Sequence, residues 1–167
     1  QSSPIWTLPE FDDRHWLHGH GGVGYEWTRG LEDFLGIDLR SLEVPREQRI
    51  DADGDRKSDT PSVYTRFKFH LPADFHPDNF DQLLLHMRYD DGFIAYLNGV
   101  PVLSVNADEV PHWKSRATVF AEVTTPEKFD ITAFKTALIS GRENVLAIHA
   151  QNRTSIRGDL LVSPQLA

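Results

Sequence analysis

The stretch that most constrains the fold is residues 87–102, which reads Met-Arg-Tyr-Asp-Asp-Gly-Phe-Ile-Ala-Tyr-Leu-Asn-Gly-Val-Pro-Val. It contains two turn signals, Asp90-Asp91-Gly92 and Asn98-Gly99, each between short apolar runs. Asp-Gly and Asn-Gly pairs between such runs are strong hairpin signals. The stretch therefore predicts two hairpins in an antiparallel sheet, with the acidic turn at one end of the sheet and the Asn-Gly turn at the other.

Other segments show the alternation of a half-buried strand. From Val63 to Leu71, four apolar residues and Thr65 alternate with larger polar residues, and residues 82–88 repeat the pattern. Further strands are predicted at 4–8, 93–98, 100–105, 117–123, 144–151 and 159–162. One short helix is predicted over 130–139, with Asp130 as its cap. Many short strands and one short helix are typical of an antiparallel sandwich or barrel.

Composition excludes several classes of protein. The 167 residues have a formal net charge of −8, which disfavours a nucleic-acid partner. No apolar run approaches the ~20 residues that span a bilayer, and the absence of cysteine excludes disulfides and thiol nucleophiles. The chain begins without a signal-peptide pattern. We expect residues 1–3 to be the remnant of a linker in a mature or excised segment, and residues 4–167 to form one module.

Several motifs occur in series along almost the whole chain. They are residues 11–16 (Phe-Asp-Asp-Arg-His-Trp), 21–26 (Gly-Gly-Val-Gly-Tyr-Glu), 62–69, 89–99, Asn106, 113–117 (Trp-Lys-Ser-Arg-Ala), 141–149 and 159–166. Their order resembles that of galactose-binding-domain-like jelly-roll modules of large secreted bacterial proteins, where such modules occur beside lamin-tail, CotH-type or polysaccharide-degrading domains. The resemblance implies an all-β, antiparallel two-sheet jelly-roll β-sandwich. It also implies a non-catalytic module, often carbohydrate-binding or adhesive, that is secreted or at the bacterial cell surface.

Carbohydrate sites pair an aromatic face with polar groups for the sugar hydroxyls. Trp113 lies in a polar loop and is the first choice for stacking, although an aromatic residue of this kind is also common in cores. We expect a polysaccharide or oligosaccharide to bind at a loop end, where Asp91, Arg116 and Asn152 hold hydroxyls or an acidic sugar group. The full predicted ligand set is Tyr25, Asp90, Asp91, Trp113, Arg116 and Asn152.

An acidic segment within the insertion 43–60 is a candidate calcium site. Asp51, Asp53, Asp55 and Asp59 occupy positions 1, 3, 5 and 9 of an EF-like loop, and calcium prefers such hard oxygen ligands. The match is partial, because Arg56 stands where the glycine is expected. A structural Ca²⁺ and a solvated acidic loop are both compatible with the segment.

Catalysis is not predicted. Asp90 and Asp91 are adjacent, so on a strand they point to opposite faces and cannot easily flank one glycosidic bond. Of His15, His18 and His20, the pair His18 and His20 could ligate a transition metal, or the histidines lie on the surface. The rival to glycan binding is a structural or protein-interaction spacer that packs against neighbouring domains of the parent protein. An exposed apolar patch on the face carrying Tyr64 or Tyr96 would favour that rival.

Overall fold

The computed structural model describes residues 3–25, 32–39, 62–153 and 159–167, and within these ranges the chain forms two facing β-sheets. The described strands are β1 (Gly22–Tyr25), β2 (Leu35–Asp38), β3 (Ser62–His70), β4 (Leu84–Asp90), β5 (Gly92–Leu97), β6 (Val100–Val105), β7 (Glu122–Asp130), β8 (Glu143–Gln151) and β9 (Leu160–Leu166). Short 3-10 helices cover Ile5–Thr7, Glu32–Phe34, Pro77–Asn79 and Thr132–Ala137.

The first sheet, sheet A, has the strand order β2-β1-β9-β4-β7, and the second, sheet B, has the order β3-β8-β5-β6. β1 and β2 run parallel, and the other described pairs are antiparallel. From β3 to β9 the chain passes repeatedly from one sheet to the other, as in a jelly roll. The predicted all-β two-sheet sandwich is confirmed.

The core lies between the two sheets. Its fully buried side chains include Leu85 and Met87 from sheet A and Phe93, Leu97 and Ile148 from sheet B. Each such side chain stabilises the fold by about 1.5–3 kcal/mol relative to its exposed state. The alternation of apolar residues that predicts β3 and β4 is therefore the pattern that lines this interface.

The Asn-Gly hairpin is confirmed between β5 and β6. Asn98 and Gly99 both have positive φ angles, 49° and 86°, as a type I′ turn requires. The side chain of Asn98 also anchors the turn, because its Oδ1 accepts a hydrogen bond from the Val145 amide at 2.7 Å and its Nδ2 donates to Asn144 Oδ1 at 2.6 Å.

The prediction of a hairpin at Asp90-Asp91-Gly92 is wrong. β4 belongs to sheet A and β5 to sheet B, so the chain crosses between the sheets at Asp91 instead of folding back beside itself. Gly92 permits the crossing, since a Cβ there would lie 2.7 Å from the carbonyl oxygen of Asn106. The acidic turn is thus a corner between the two sheets.

Two predicted strand positions and the helix type are also corrected. Residues 4–8 form a 3-10 helix at Ile5–Thr7 instead of a strand. The strand predicted at 117–123 is instead β7, which begins at Glu122. The sequence pattern misplaces it because β7 is a largely exposed edge strand without apolar alternation. The short helix is present as the 3-10 helix Thr132–Ala137, and Asp130 Oδ1 accepts the Thr132 amide hydrogen at 2.9 Å.

The N-terminal segment, residues 3–16, packs on the outer face of sheet B. The Trp6 ring lies 4.6 Å from the Tyr64 ring and 5.7 Å from the Tyr96 ring, measured between centroids. Asp13 forms ion pairs of 2.8 Å with both Arg66 and Lys68. The face carrying Tyr64 and Tyr96 is therefore covered by the protein's own chain.

Candidate functional site

The corner residue Asp91 connects three loops at one end of the sandwich. Its Oδ1 accepts the Ala121 amide hydrogen at 2.9 Å, and its Oδ2 accepts the Arg153 amide hydrogen at 2.6 Å. Its backbone carbonyl accepts a hydrogen bond from Asn106 Nδ2 at 3.0 Å. Asp91 is only 4% exposed, so its carboxylate acts on the protein's backbone.

Asn152, directly before Arg153, also connects several segments at this end of the sandwich. The residue is fully buried, and its Nδ2 donates to the Tyr25 hydroxyl at 3.0 Å and to the Asp159 carbonyl at 2.7 Å. Its own carbonyl accepts the Ala117 amide hydrogen at 3.2 Å. Asn152 thus joins the end of β1, the start of β9 and the loop before β7.

The environment of Tyr25 shows that further carboxylates are close. Burial is the main cause that raises the pKa of the Tyr25 hydroxyl, and three nearby carboxylates add to it, whereas the hydrogen bond from Asn152 acts in the opposite direction. Those carboxylates belong to Asp90, Asp91 and Asp159. Asp90 is itself buried. The structure thus brings four of the predicted residues together: Tyr25, Asp90, Asp91 and Asn152.

The other two predicted residues, Trp113 and Arg116, are exposed on the segment 106–121, here named the Trp113 loop. Trp113 is 48% exposed, and its carbonyl accepts a hydrogen bond from Ser62 Oγ at 2.8 Å, which fixes it beside the start of β3. Ser62 is the register partner of Gln151, directly before Asn152. The exposed and the buried predicted residues therefore lie at the same end of the sandwich.

The Trp113 loop contains internal hydrogen bonds that are not predicted from the sequence. Ser115 Oγ donates to Asp108 Oδ2 at 3.1 Å and accepts the His112 amide hydrogen at 2.8 Å. Asn106 begins the loop with a φ of 51°, in the left-handed region where asparagine is enriched. Asn106 stands in one of the sequence motifs, but a φ angle of this kind is not readable from a single sequence.

The surface of the Trp113 loop combines apolar and cationic groups. Val110 and Phe120 are each 71% exposed, and Val119 is 48% exposed. The Lys114 Nζ lies 4.6 Å from the centroid of the Trp113 ring, and the Arg153 guanidinium carbon lies 5.7 Å from that of Phe120. Each contact places a positive charge over the face of an aromatic ring.

Two cavities lie away from the Trp113 loop. One, of about 490 Å³, is lined mainly by apolar side chains, among them Phe67, Phe69, Phe75 and Phe80. The other, of about 520 Å³, lies along the edge of β3 beside Trp16, His18 and His20. Neither is lined by a residue of the predicted ligand set.

The candidate metal residues fall into two groups. Asp51, Asp53, Asp55 and Asp59 lie outside the described residues, so the calcium site stays a prediction. His15, His18 and His20 are all exposed. In the described ranges, no group of three or more His, Asp or Glu side chains is arranged to hold a metal ion.

The described ranges contain no helix that is long and apolar enough to cross a membrane.

No known family model and no curated protein matches the chain. Solved structures of β-glucuronidases are similar to it at low identity. A calcium-binding mutant of Bacteroides uniformis β-glucuronidase 2 has 16% identity and a TM-score of 0.48, over 95% of this chain and 16% of that one. A Ruminococcus gnavus β-glucuronidase has 11% identity and a TM-score of 0.40, over 91% of this chain and 23% of that one. A second Ruminococcus gnavus β-glucuronidase structure, with an N1-substituted uronic isofagomine, has 16% identity and a TM-score of 0.37, over 56% of this chain and 13% of that one.

The chain thus spans less than a quarter of the length of these solved chains. Its fold defines it as an all-β sandwich module. At one end, a buried polar cluster fixes a loop that exposes two aromatic rings.

Proposed function

We propose that this chain is a non-catalytic carbohydrate-binding module of a larger secreted multidomain protein, and that a polysaccharide or oligosaccharide binds at the Trp113 loop. The observation that carries the proposal is the half-exposed Trp113 ring on a loop held at several points. A ring carried by a fixed backbone can stack on a sugar with less loss of conformational freedom than a ring on an unattached loop. Lys114 lies over the ring and Arg116 is exposed nearby, so both can contribute polar contacts.

The buried members of the predicted set have a different part in this proposal. Asp91 and Asn152 satisfy backbone groups, so they position the loops instead of meeting the sugar directly. The same contacts support the non-catalytic reading, because both carboxylate oxygens of Asp91 already accept backbone hydrogens. A general acid or base must be able to reach the proton that it transfers.

The test compares wild type with Trp113→Ala on a glycan array and by affinity gel electrophoresis in a panel of soluble polysaccharides. We expect the wild type to be retarded by at least one glycan and Trp113→Ala to lose most of that retardation, because the stacking surface is removed. Val110→Ala is the matched control, since it removes an exposed apolar side chain from the same loop. No glycan bound by the wild type, or equal binding by Trp113→Ala, would refute the proposal.

A second candidate function is a spacer or protein-interaction module. The covered face at Tyr64 and Tyr96 does not support it, but the exposed apolar residues of the Trp113 loop do. Val110, Val119 and Phe120 could pack against a neighbouring domain of the parent protein. Under this alternative, Val110→Ala and Phe120→Ala would weaken association with that domain, and no glycan would bind.

A further inference from the structure

A buried histidine lies where the N-terminal segment meets the outer face of sheet B. His149 on β8 is 2% exposed, and its ring centroid lies 4.6 Å from that of Tyr64 on β3. Tyr64 in turn contacts Trp6 of the N-terminal segment, with 4.6 Å between centroids. Ile94 of β5 is the register partner of His149. His149 therefore packs against the tyrosine that contacts the N-terminal segment.

The hydrogen bonds of Gln151 define which nitrogen of His149 carries the proton. Gln151 Oε1 accepts the Asp108 amide hydrogen at 3.1 Å, which turns the Gln151 NH₂ group toward His149. Gln151 Nε2 lies 3.3 Å from His149 Nδ1. An amide NH₂ group can only donate, so Nδ1 accepts and the neutral ring carries its proton on Nε2.

The same chain of hydrogen bonds continues into the Trp113 loop. Asp108 Oδ2 accepts from Ser115 Oγ, and Ser115 Oγ accepts from the His112 amide, directly before Trp113. One buried imidazole is thus connected to two surface segments: to the N-terminal segment through ring contacts, and to the Trp113 loop through hydrogen bonds.

This arrangement requires a neutral imidazole. A proton on Nδ1 would place a second donor against the Gln151 NH₂ group. In addition, His149 Nε2 has no hydrogen-bond partner among the described residues, so the closed arrangement already leaves one buried donor unpaired. The first feature makes the contact sensitive to protonation, and the second lowers its net contribution to stability.

The groups around His149 agree with that requirement. Burial, together with the charge of His112, lowers the pKa of His149 from 6.5 to about 4, and Asp108 acts in the opposite direction. Tyr64 is the titratable group facing it from β3, whereas Ile94 from β5 and Trp6 from the N-terminal segment do not titrate.

We propose that His149 is an acid-sensitive latch that holds the Trp113 loop and the N-terminal segment against sheet B while it is neutral, and releases both when it is protonated. In the open state His149 is solvated and regains the ordinary pKa of a histidine, about 6.5. Acid therefore favours opening from about pH 6.5 downward, until the closed state is protonated as well near pH 4. Proton linkage then predicts that the open population rises about tenfold between pH 7.5 and pH 5.5.

Amide hydrogen exchange at pH 7.5 and pH 5.5, corrected for the intrinsic exchange rates, tests the latch. We expect protection in residues 3–8 and 106–117 of the wild type to fall about tenfold at the lower pH, and protection of the core strands β4 and β8 to fall much less. The variant His149→Phe keeps a ring against Tyr64 but cannot take up a proton, so its protection should not depend on pH. The control His70→Gln removes an exposed histidine of β3 and should behave as the wild type does.

A wild type without the fall in protection, or a His149→Phe variant that retains it, would overturn the latch. If His149→Phe does not fold, NMR titration of the wild-type imidazoles decides the question. The latch requires the His149 ring to stay neutral and protonated on Nε2 at pH 5.5 in the closed state. A His149 that titrates near pH 6.5 without any change in exchange also overturns it.

Discussion

At the residue scale, the polar side chains of the loop end divide into an inward and an outward group. Asp91 and Asn152 are buried and bound to backbone groups of separate loops. Buried polar groups need such partners, because an unpaired one costs about 1–3 kcal/mol. Trp113 and Arg116 are outward and exposed. In our proposal, the first pair sets the position from which the second pair meets a ligand.

Replacing Asp91 by Asn tests the inward group. In Asp91→Asn, one of the two backbone amides would face an NH₂ group instead of an oxygen, and the charge that strengthens both hydrogen bonds would be lost. We expect the free energy of unfolding to fall by about 2 kcal/mol, measured by urea denaturation. The exposed Asp74 provides the control, since Asp74→Asn should change the midpoint very little. Equal midpoints for the two variants would contradict the positioning role.

The sequence predicts which residues lie at the loop end, but not which of them are buried and which are exposed. The family resemblance and the polar residues of the loops predict that Tyr25, Asp91 and Asn152 lie at one end of the sandwich, and the structure brings them together. The sequence could not predict that Asp91 and Asn152 are buried, because aspartate and asparagine serve equally as ligands for hydroxyls and as partners of backbone amides. That choice depends on where the Trp113 loop folds back, which is a tertiary property.

At the scale of elements, apolar patterns predict the strands that line the core. β3 and β4 alternate and lie close to their predicted positions, because one face of each packs against the opposite sheet, whereas β8 is a nearly continuous apolar run that is buried on both faces. β7 is a largely exposed edge strand, so few of its side chains need to be apolar and its pattern is weak. The corner at Asp91 resembles a hairpin in sequence, since the same turn residues serve a chain that stays in one sheet and one that crosses to the other.

The N-terminal segment is held on sheet B by the ion pairs of Asp13. Its Asp13 accepts hydrogen bonds from Arg66 Nε and Lys68 Nζ, and the Arg66 side chain is 2% exposed. Burial raises the pKa of Asp13, but the hydrogen bonds from Lys68 and Arg66 outweigh it and the net shift is downward. We expect Asp13→Asn to lower the free energy of unfolding by about 3 kcal/mol, because it leaves a buried guanidinium without its counterion.

The neighbouring Asp12 is a matched control for this prediction. It forms a 2.7 Å ion pair with Arg14, but both side chains are largely exposed. Exposed pairs contribute about 0–1 kcal/mol, so Asp12→Asn should have little effect. Chemical denaturation of the two variants side by side measures the difference. If Asp12→Asn were as destabilising as Asp13→Asn, burial of the Arg66 pair would not be the cause.

At the scale of the whole molecule, the net charge of −8 opposes compaction. Four of the aspartates responsible, Asp51, Asp53, Asp55 and Asp59, lie within nine residues of each other. A divalent cation coordinated by these carboxylates would neutralise their mutual repulsion and hold the insertion in one conformation. The four residues lie outside the described ranges, and the site is predicted from their spacing in the sequence.

Thermal unfolding with and without calcium provides that measurement. A ligand at 100 times its Kd stabilises the native state by about 2.7 kcal/mol, which corresponds to a rise in Tm of about 5–10 °C for a chain of this size. We expect this rise in calcium, its reversal by a chelator and its loss in Asp53→Ala, which removes a central ligand of the loop. Magnesium at the same ionic strength controls for screening of the net charge, and Asp74→Ala for the loss of one carboxylate elsewhere. An equal rise in Asp53→Ala, or the same rise with magnesium, would mean that the cation acts on the overall charge and not at this loop.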